Sequence, residues 1–288
     1  MPMPKKADII REGFGYLEGF RWHHNEVWFS DFAAKKVYRM SPDGEQLNIV
    51  ASLDVKPSGL GFPLHGDPLV VGMDDCTLRR IKADGSTEIV ASFQDKAYEA
   101  NDMWVSPEGR AYISQFGYDL FAGGPPIPSH LIIVHPDGTV EVDKEDLIFP
   151  NGIQLTADGE TLIVSELFGL RLNAFDVKED GTLSNRRVIV QFEEELDIMD
   201  GLVLDAEGAI WVTMPYRSEV RRITQEGITT DIVKTATEGH IVVSCTLGGE
   251  DGRDLYIATA NATIENLYGG TARVEMARVN VPSLLHKK

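Results

Sequence analysis

Cysteine is nearly absent. The 288 residues hold only Cys76 and Cys245, too few for a disulfide framework. Both are expected to be reduced, which suits a cytoplasmic setting. No long apolar run occurs at the N-terminus or elsewhere, so neither a signal peptide nor a membrane-spanning helix is expected. Cationic side chains are scarce as well: 27 Lys and Arg face 45 Asp and Glu, for a formal charge of -18. So acidic a chain argues against nucleic acid and against an anionic membrane as partners. It makes a divalent cation a welcome guest, although a merely acidic surface explains the charge equally well. Helical periodicity is missing too. No segment sustains it beyond two turns, and residues 94–100 offer at most one helical turn.

What is present is turns and repeats. Twenty-seven glycines and fourteen prolines punctuate short apolar runs. One phrase recurs: a polar residue, a short apolar strand, a turn and a returning strand. It begins at Asn101-Asp102, at Asn151-Gly152 and at Asp200-Gly201. Second strands centre near Trp28, Val71, Tyr112, Ile163, Trp211 and Tyr256, at steps of 41 to 51 residues. Third strands end in Asp43-Gly44, Asp84-Gly85, Asp137-Gly138, Asp180-Gly181 and Glu226-Gly227. A four-stranded antiparallel unit at this period is a propeller blade. Each such sheet has two apolar faces, and only neighbours on both sides can cover them. The fold class is therefore all-β: a six-bladed β-propeller with four-stranded antiparallel blades, one domain over residues 1–288, with 1–8 as a loose tail. A β-sandwich is the alternative. The last unit, Ala272 to Val279, ends without an outer strand, and residues 8–12 are expected to supply it and clasp the ring.

One segment breaks the period. Residues 115–129 are rich in glycine and proline and carry Phe116, Tyr118 and Phe121. It reads either as a surface insertion or as a flap over one end of the ring.

The ordered set of motifs resembles the SMP-30/gluconolactonase/LRE-like family of six-bladed propellers. The pieces are Leu17-Glu18-Gly19 with Trp22, Trp28-Phe29-Ser30-Asp31, Lys56-Pro-Ser-Gly-Leu-Gly61, Asn101-Asp102-Met103, Phe149-Pro150-Asn151-Gly152, Ser165-Glu166, Asp200-Gly201 and Cys245-Thr-Leu-Gly-Gly249. The resemblance covers about Gly13 to Ala260. It implies one divalent ion on the propeller axis, held by Glu18, Asn151 and Asp200. Asn101 would ligate directly or through water or substrate. Two departures stand out. Met199 occupies the position before Asp-Gly where the family usually has proline. Glu99 stands two residues before Asn101, where the family's sugar lactonases carry arginine, and this weakens the case for gluconolactone as substrate.

The residue chemistry agrees with such a site. Carboxylates and amides are hard oxygen ligands with room left for water. No histidine or cysteine recurs at the blade turns, which argues against a dedicated thiolate or tris-histidine zinc site. Calcium is the expected ion, with zinc, manganese or magnesium as alternatives; a purely structural ion is another reading. The expected chemistry is metal-dependent opening of a sugar or other small lactone, with Asp200 as base, orienter or nucleophile. Asn101, Phe116, Tyr118, Glu166 and Tyr216 are the candidate substrate contacts, and the aromatics favour a less polar lactone or ester. Arg171 is a candidate for a substrate carboxylate, and His240 for a proton donor. An organophosphate or ester hydrolase of the diisopropyl-fluorophosphatase type and a non-enzymatic binding propeller are the rivals. The sequence leaves the oligomeric state open.

Overall fold

A computed structural model describes residues 4–120, 122–261 and 271–284. The chain begins with β1 (Lys5–Lys6) and β2 (Asp8–Phe14). Blade 1 is β3 (Leu17–His23), β4 (Glu26–Asp31), β5 (Lys36–Met40) and β6 (Leu47–Ser52). Blade 2 is β7 (Pro57–Gly61), β8 (Leu69–Gly72), β9 (Thr77–Ile81) and β10 (Thr87–Ser92). Blade 3 is β11 (Ala100–Val105), β12 (Ala111–Gln115), β13 (Ile132–Val134) and β14 (Val140–Val142). Blade 4 is β15 (Pro150–Leu155), β16 (Thr161–Glu166), β17 (Arg171–Val177) and β18 (Leu183–Gln191). Blade 5 is β19 (Leu202–Leu204), β20 (Ile210–Met214), β21 (Glu219–Ile223) and β22 (Thr229–Lys234). Blade 6 is β23 (Ile241–Gly248), β24 (Asp254–Ala260) and β25 (Ala272–Arg278), completed by β2.

The first strands of the blades touch in ring order, β3 to β7, β11, β15, β19, β23 and back to β3. The protein is an all-β, six-bladed propeller. Its hydrophobic core is divided among the seams. Trp28, Val37 and Ala51 of blade 1 meet Leu60, Val70 and Ile81 of blade 2. Comparable clusters fill the seams from blade 2 onward, and Phe14, Phe20, Phe29 and Tyr256 close the last one against blade 1. Each blade thus covers both neighbours, as the period demanded. Cys76 and Cys245 are free and buried in separate seams. Among the described residues no helix is long and apolar enough to cross a membrane.

The expected clasp is present. β2 pairs antiparallel with β25, from Asp8 opposite Met276 to Phe14 opposite Ala272. The tail before it is not loose throughout. Lys5 and Lys6 pair in parallel with Val233 and Lys234 of β22, and the Ala7 N–H donates to the Lys234 carbonyl at 2.9 Å. Two exposed lysines carry no strand signal, so only the neighbouring edge reveals this pairing. The N-terminal segment therefore stitches blades 5, 6 and 1 together.

Convergence on the axis requires small residues. A Cβ on Gly152 would lie 2.6 Å from both the Asp200 carbonyl oxygen and the Leu202 nitrogen of the next blade. A Cβ on Gly59 would lie 2.5 Å from the Met103 nitrogen. Gly124 meets nothing within 4 Å. Gly152→Ala is expected to cost about 1–3 kcal/mol, as an overpacked core does. Gly124→Ala should stay within about 0.5 kcal/mol of the parent. Urea denaturation midpoints of the two variants check this.

Candidate functional site

Equivalent positions near the start of each first strand carry Glu18, Ser58, Asn101, Asn151, Asp200 and Val243. The next residue is Gly19, Gly59, Asp102, Gly152, Gly201 or Ser244. Here the β ladder slips register in five blades: between Glu18 and Arg21, Pro57 and Leu60, Ala100 and Met103, Pro150 and Ile153, and Val242 and Ser244. Such bulges re-aim side chains that a regular strand would send elsewhere. Two residues upstream of the asparagines, Glu99 and Phe149 adopt left-handed φ values of 48° and 56°. Non-glycine residues rarely do so without compensation. Part of it is visible: the Phe116 N–H donates to the Glu99 carbonyl at 3.0 Å, and the Leu167 N–H to the Phe149 carbonyl at 2.9 Å.

Buried hydroxyls on the second strands lock the bulged backbone. Ser30 Oγ donates to the Ser58 carbonyl at 2.6 Å, and Ser165 Oγ to the Asp200 carbonyl at 2.6 Å. Thr213 Oγ1 donates to the Val243 carbonyl at 3.3 Å. Each bond ties one blade to the next. All three side chains are fully buried, so an unmade bond there would be costly.

Glu18, Asn101, Asn151 and Asp200 are all buried. Burial raises the Glu18 carboxyl well above its ordinary range, and the charges of Asp200 and Asp102 add to this. The Asp200 carboxyl is raised in the same way, by burial first and Asp102 second, while a hydrogen bond from Asn151 opposes the shift. Asp200 Oδ1 is buried with no hydrogen-bond partner. Ser58 Oγ donates to Asn101 Oδ1 at 3.2 Å, tying blades 2 and 3. Burial first, with the charge of Glu18 and then Asp200 at Tyr16 and of Asp200 at Tyr216, raises both phenols above their ordinary value and keeps them protonated. Two buried carboxylates, with the charge of Asp200 among the causes that raise Glu18 and one Asp200 oxygen orphaned, fit a divalent cation. Among the described residues no group of three or more His, Cys, Asp or Glu is arranged to hold a metal. The set here would be two carboxylates and two amides.

The remaining expected residues divide. Phe116 stacks on Phe149 at a centroid distance of 4.4 Å, and Tyr118 meets Phe149 edge-on at 6.1 Å. With Leu167, Phe168 and Ile198 they form an apolar wall at the end of the ring where Asn151 begins its strand. Residues 116–118 thus dock inward, whereas 122–128 are exposed; Phe121 lies outside the described residues. Tyr216 is 47% exposed. Glu166 is fully buried, and its oxygens accept from Arg171 Nε at 2.6 Å, from Asn173 Nδ2 at 2.8 Å, from the Ile148 N–H at 2.6 Å and from Arg186. These donors hold Glu166, and with it Arg171, in a clamp beneath the Ile148–Pro150 loop. His240 is buried and kept neutral by burial and by Arg273 in blade 6.

Sequence reasoning passed over Ser58, Tyr16, Asp102 and Arg21. Ser58-Gly59 repeats the polar-Gly phrase, which was the available signal. A cavity of about 1170 Å³ lies elsewhere. Its lining includes Trp22, His23, Phe62, Trp104 and Leu155, at the far ends of the first strands. The cavity opens at the far ends of the first strands and reaches inward as far as Phe20 and Arg21.

A profile of the SMP-30/Gluconolactonase/LRE-like region matches residues 17–261. Regucalcin of Bos taurus is 26% identical over 269 residues, covering 90% of this chain and 87% of that protein. A pentonolactonase of Haloferax volcanii is 25% identical over 252 residues, covering 84% and 81%. The crystal structure of a calcium-binding protein, regucalcin, from Agrobacterium tumefaciens superposes with a TM-score of 0.81 at 19% identity, covering 98% and 97%.

The raised carboxyls set a pH dependence. The native protein keeps protons on Glu18 and Asp200 that the unfolded chain releases near its ordinary carboxylate pKa of about 4. The native state thus binds more protons over that interval, so stability without cation falls as pH rises through it. In chelator, unfolding free energy from urea titrations should decline above pH 5 relative to Asp200→Asn. That variant should be the more stable of the two at pH 8.

Proposed function

The chain belongs to the SMP-30/gluconolactonase/LRE-like family, and from that premise we propose that it is a divalent-cation-dependent hydrolase that opens a lactone. Family membership supports a hydrolase of this fold. The observation that carries the finer reading is the orphaned, buried Asp200 Oδ1 beside the charge of Glu18 and the amide of Asn151. Glu18, Asn151 and Asp200 would hold the cation, with Asn101 as a fourth ligand or as a contact to substrate or water. Calcium suits this all-oxygen donor set, and the Agrobacterium tumefaciens relative is a calcium-binding protein. Zinc, manganese and magnesium remain candidates. When bound, the cation would supply Lewis-acid polarisation of the carbonyl oxygen.

The chain's own residues do the rest. Asp200 Oδ1 faces no competing donor, so it is free to accept a hydrogen bond from a water molecule. As that water adds to the lactone carbonyl carbon, Asp200 takes its proton. When the ring C–O bond breaks, the proton goes to the departing alkoxide oxygen and leaves a hydroxy acid. The Asn101 amide, fixed through its oxygen by Ser58, keeps its N–H donors for the substrate. Tyr16 and Tyr216, both protonated, are further donors at the site. The Phe116–Phe149 wall accepts an apolar arm, which favours a substituted lactone over a polyhydroxylated one.

A panel of lactones, aryl esters and phosphotriesters, run on chelator-stripped protein and again after adding each ion, tests this reading. Lactone turnover is expected to vanish with chelator and return with calcium. Asp200→Ala should lose about 10²–10⁴-fold in kcat with its fold intact. Phosphotriester turnover in place of lactones would favour the phosphatase-like alternative. Saturable binding without turnover would favour a non-enzymatic propeller. Undiminished lactone opening in chelator would exclude cation dependence.

A further inference from the structure

One residue past the candidate ligand Asn101, Asp102 belongs to a buried ion pair. Arg21 leaves β3 and reaches past blade 2 to Asp102 on β11, with Nη2 2.7 Å from Oδ1. Both side chains are buried, at 8% and 5% exposure. Several contacts hold the guanidinium, although its Nε is buried without a partner and the side chain also lines the cavity at the far end of the first strands. Nη1 donates to the Phe20 carbonyl at 2.7 Å, Nη2 also donates to the Met103 carbonyl at 2.5 Å, and the Trp104 ring lies 5.4 Å from its carbon. Asp102 Oδ1 takes the Met103 N–H as well, at 2.8 Å. This is a fixed pair, not a surface contact, and removing one partner alone strands a buried charge.

We infer that Arg21 is a positioning residue that sets the charge of the axial site. It keeps Asp102 out of the cation's ligand shell and balances the site for one divalent ion. The argument rests on the cation reading given above. Asp102 lies close enough to act on both Glu18 and Asp200. With Glu18, Asp200 and Asp102 all ionised around a bound cation, three carboxylates and the Arg21 guanidinium would leave two unit negative charges. Tyr16 and Tyr216 stay neutral and do not alter the sum. One divalent cation neutralises it. Without Arg21 the site would carry three negative charges and a loose carboxylate beside the ligands. Without Asp102 it would carry one. Calcium sites of this kind tune their affinity by the count of ligand charges. Arg21 also spans two blades, so it fixes the strand that bears Glu18 against the strand that bears Asn101.

Calorimetric titration of calcium into chelator-stripped protein tests this, with terbium as a trivalent probe. The proteins are the parent, Asp102→Asn, Arg21→Met and the double variant Arg21→Met/Asp102→Asn. The expected order is asymmetric. Asp102→Asn should bind calcium about tenfold more weakly than the parent, following the loss of one negative charge. Arg21→Met should bind terbium at least tenfold more tightly relative to calcium, or take up a second calcium. The double variant should return to within about threefold of the parent, because its net charge is restored. Arg21→Met is the variant at risk of not folding, and the comparison of Asp102→Asn with the double variant decides the matter without it. Equal calcium affinity in the parent, Asp102→Asn and the double variant would overturn the inference while leaving the cation reading intact. A parent protein that binds no divalent ion would overturn the cation reading itself, and the inference with it.

Discussion

Six strands converge on one axis, and the room between their backbones sets everything built there. At the layer below the candidate ligands the chain places glycine in four blades, serine in one and aspartate in one. A methyl group at Gly19 would fall 2.6 Å from the Ser58 carbonyl oxygen, and one at Gly201 would fall 2.9 Å from that of Val243. Close approach is thus a steric demand of the ring before it is a feature of any site. It forces the bulges, the bulges turn side chains inward, and the hydroxyls of Ser30, Ser165 and Thr213 then pin the freed carbonyls. The one layer position with a charged side chain, Asp102, is also the one that needs a partner of opposite sign.

Charge follows from that geometry. Outside, the excess of acidic groups is solvated and cheap. Inside, Glu18 and Asp200 pay for burial with raised proton affinity. A buried carboxylate escapes this penalty through a proton, a fixed cation or many donors. Glu166 is surrounded by backbone and side-chain donors. Asp102 has a fixed cation in Arg21, yet burial still raises its carboxyl above the ordinary value. Glu18 and Asp200 retain neither, and this sets them apart from the other buried acids of the chain. The cavity at the other end is lined by aromatic rings such as Trp22, Phe62 and Trp104 and by charged groups of both signs, among them Arg110, Glu108 and Lys178.

The fold was legible because a blade has a length, and a repeat of that length cannot bury its faces alone. Turn dipeptides marked the strand ends, and the polar-Gly phrase located Asn151 and Asp200. Arg21 was not legible. It sits in an ordinary alternating strand, and its partner lies 81 residues further on. Glu166 illustrates the opposite difficulty: its strand-end position matches that of residues near the axis, but only the packed blade reveals how many donors surround it. The left-handed turn at Phe149 was hidden as well, because a residue before proline is expected to be extended with negative φ, and Phe149 departs from that expectation.

The stitch made by β1 and β2 carries a further implication for biogenesis. Residues 8–14 leave the ribosome long before their partners at 272–278. Throughout translation the opening strand must wait with its edge unpaired, and the nascent ring stays an open arc. The final joint therefore converts a string of stacked sheets into a single mechanical hoop. Pulling at either end would have to undo that joint before any blade could peel away.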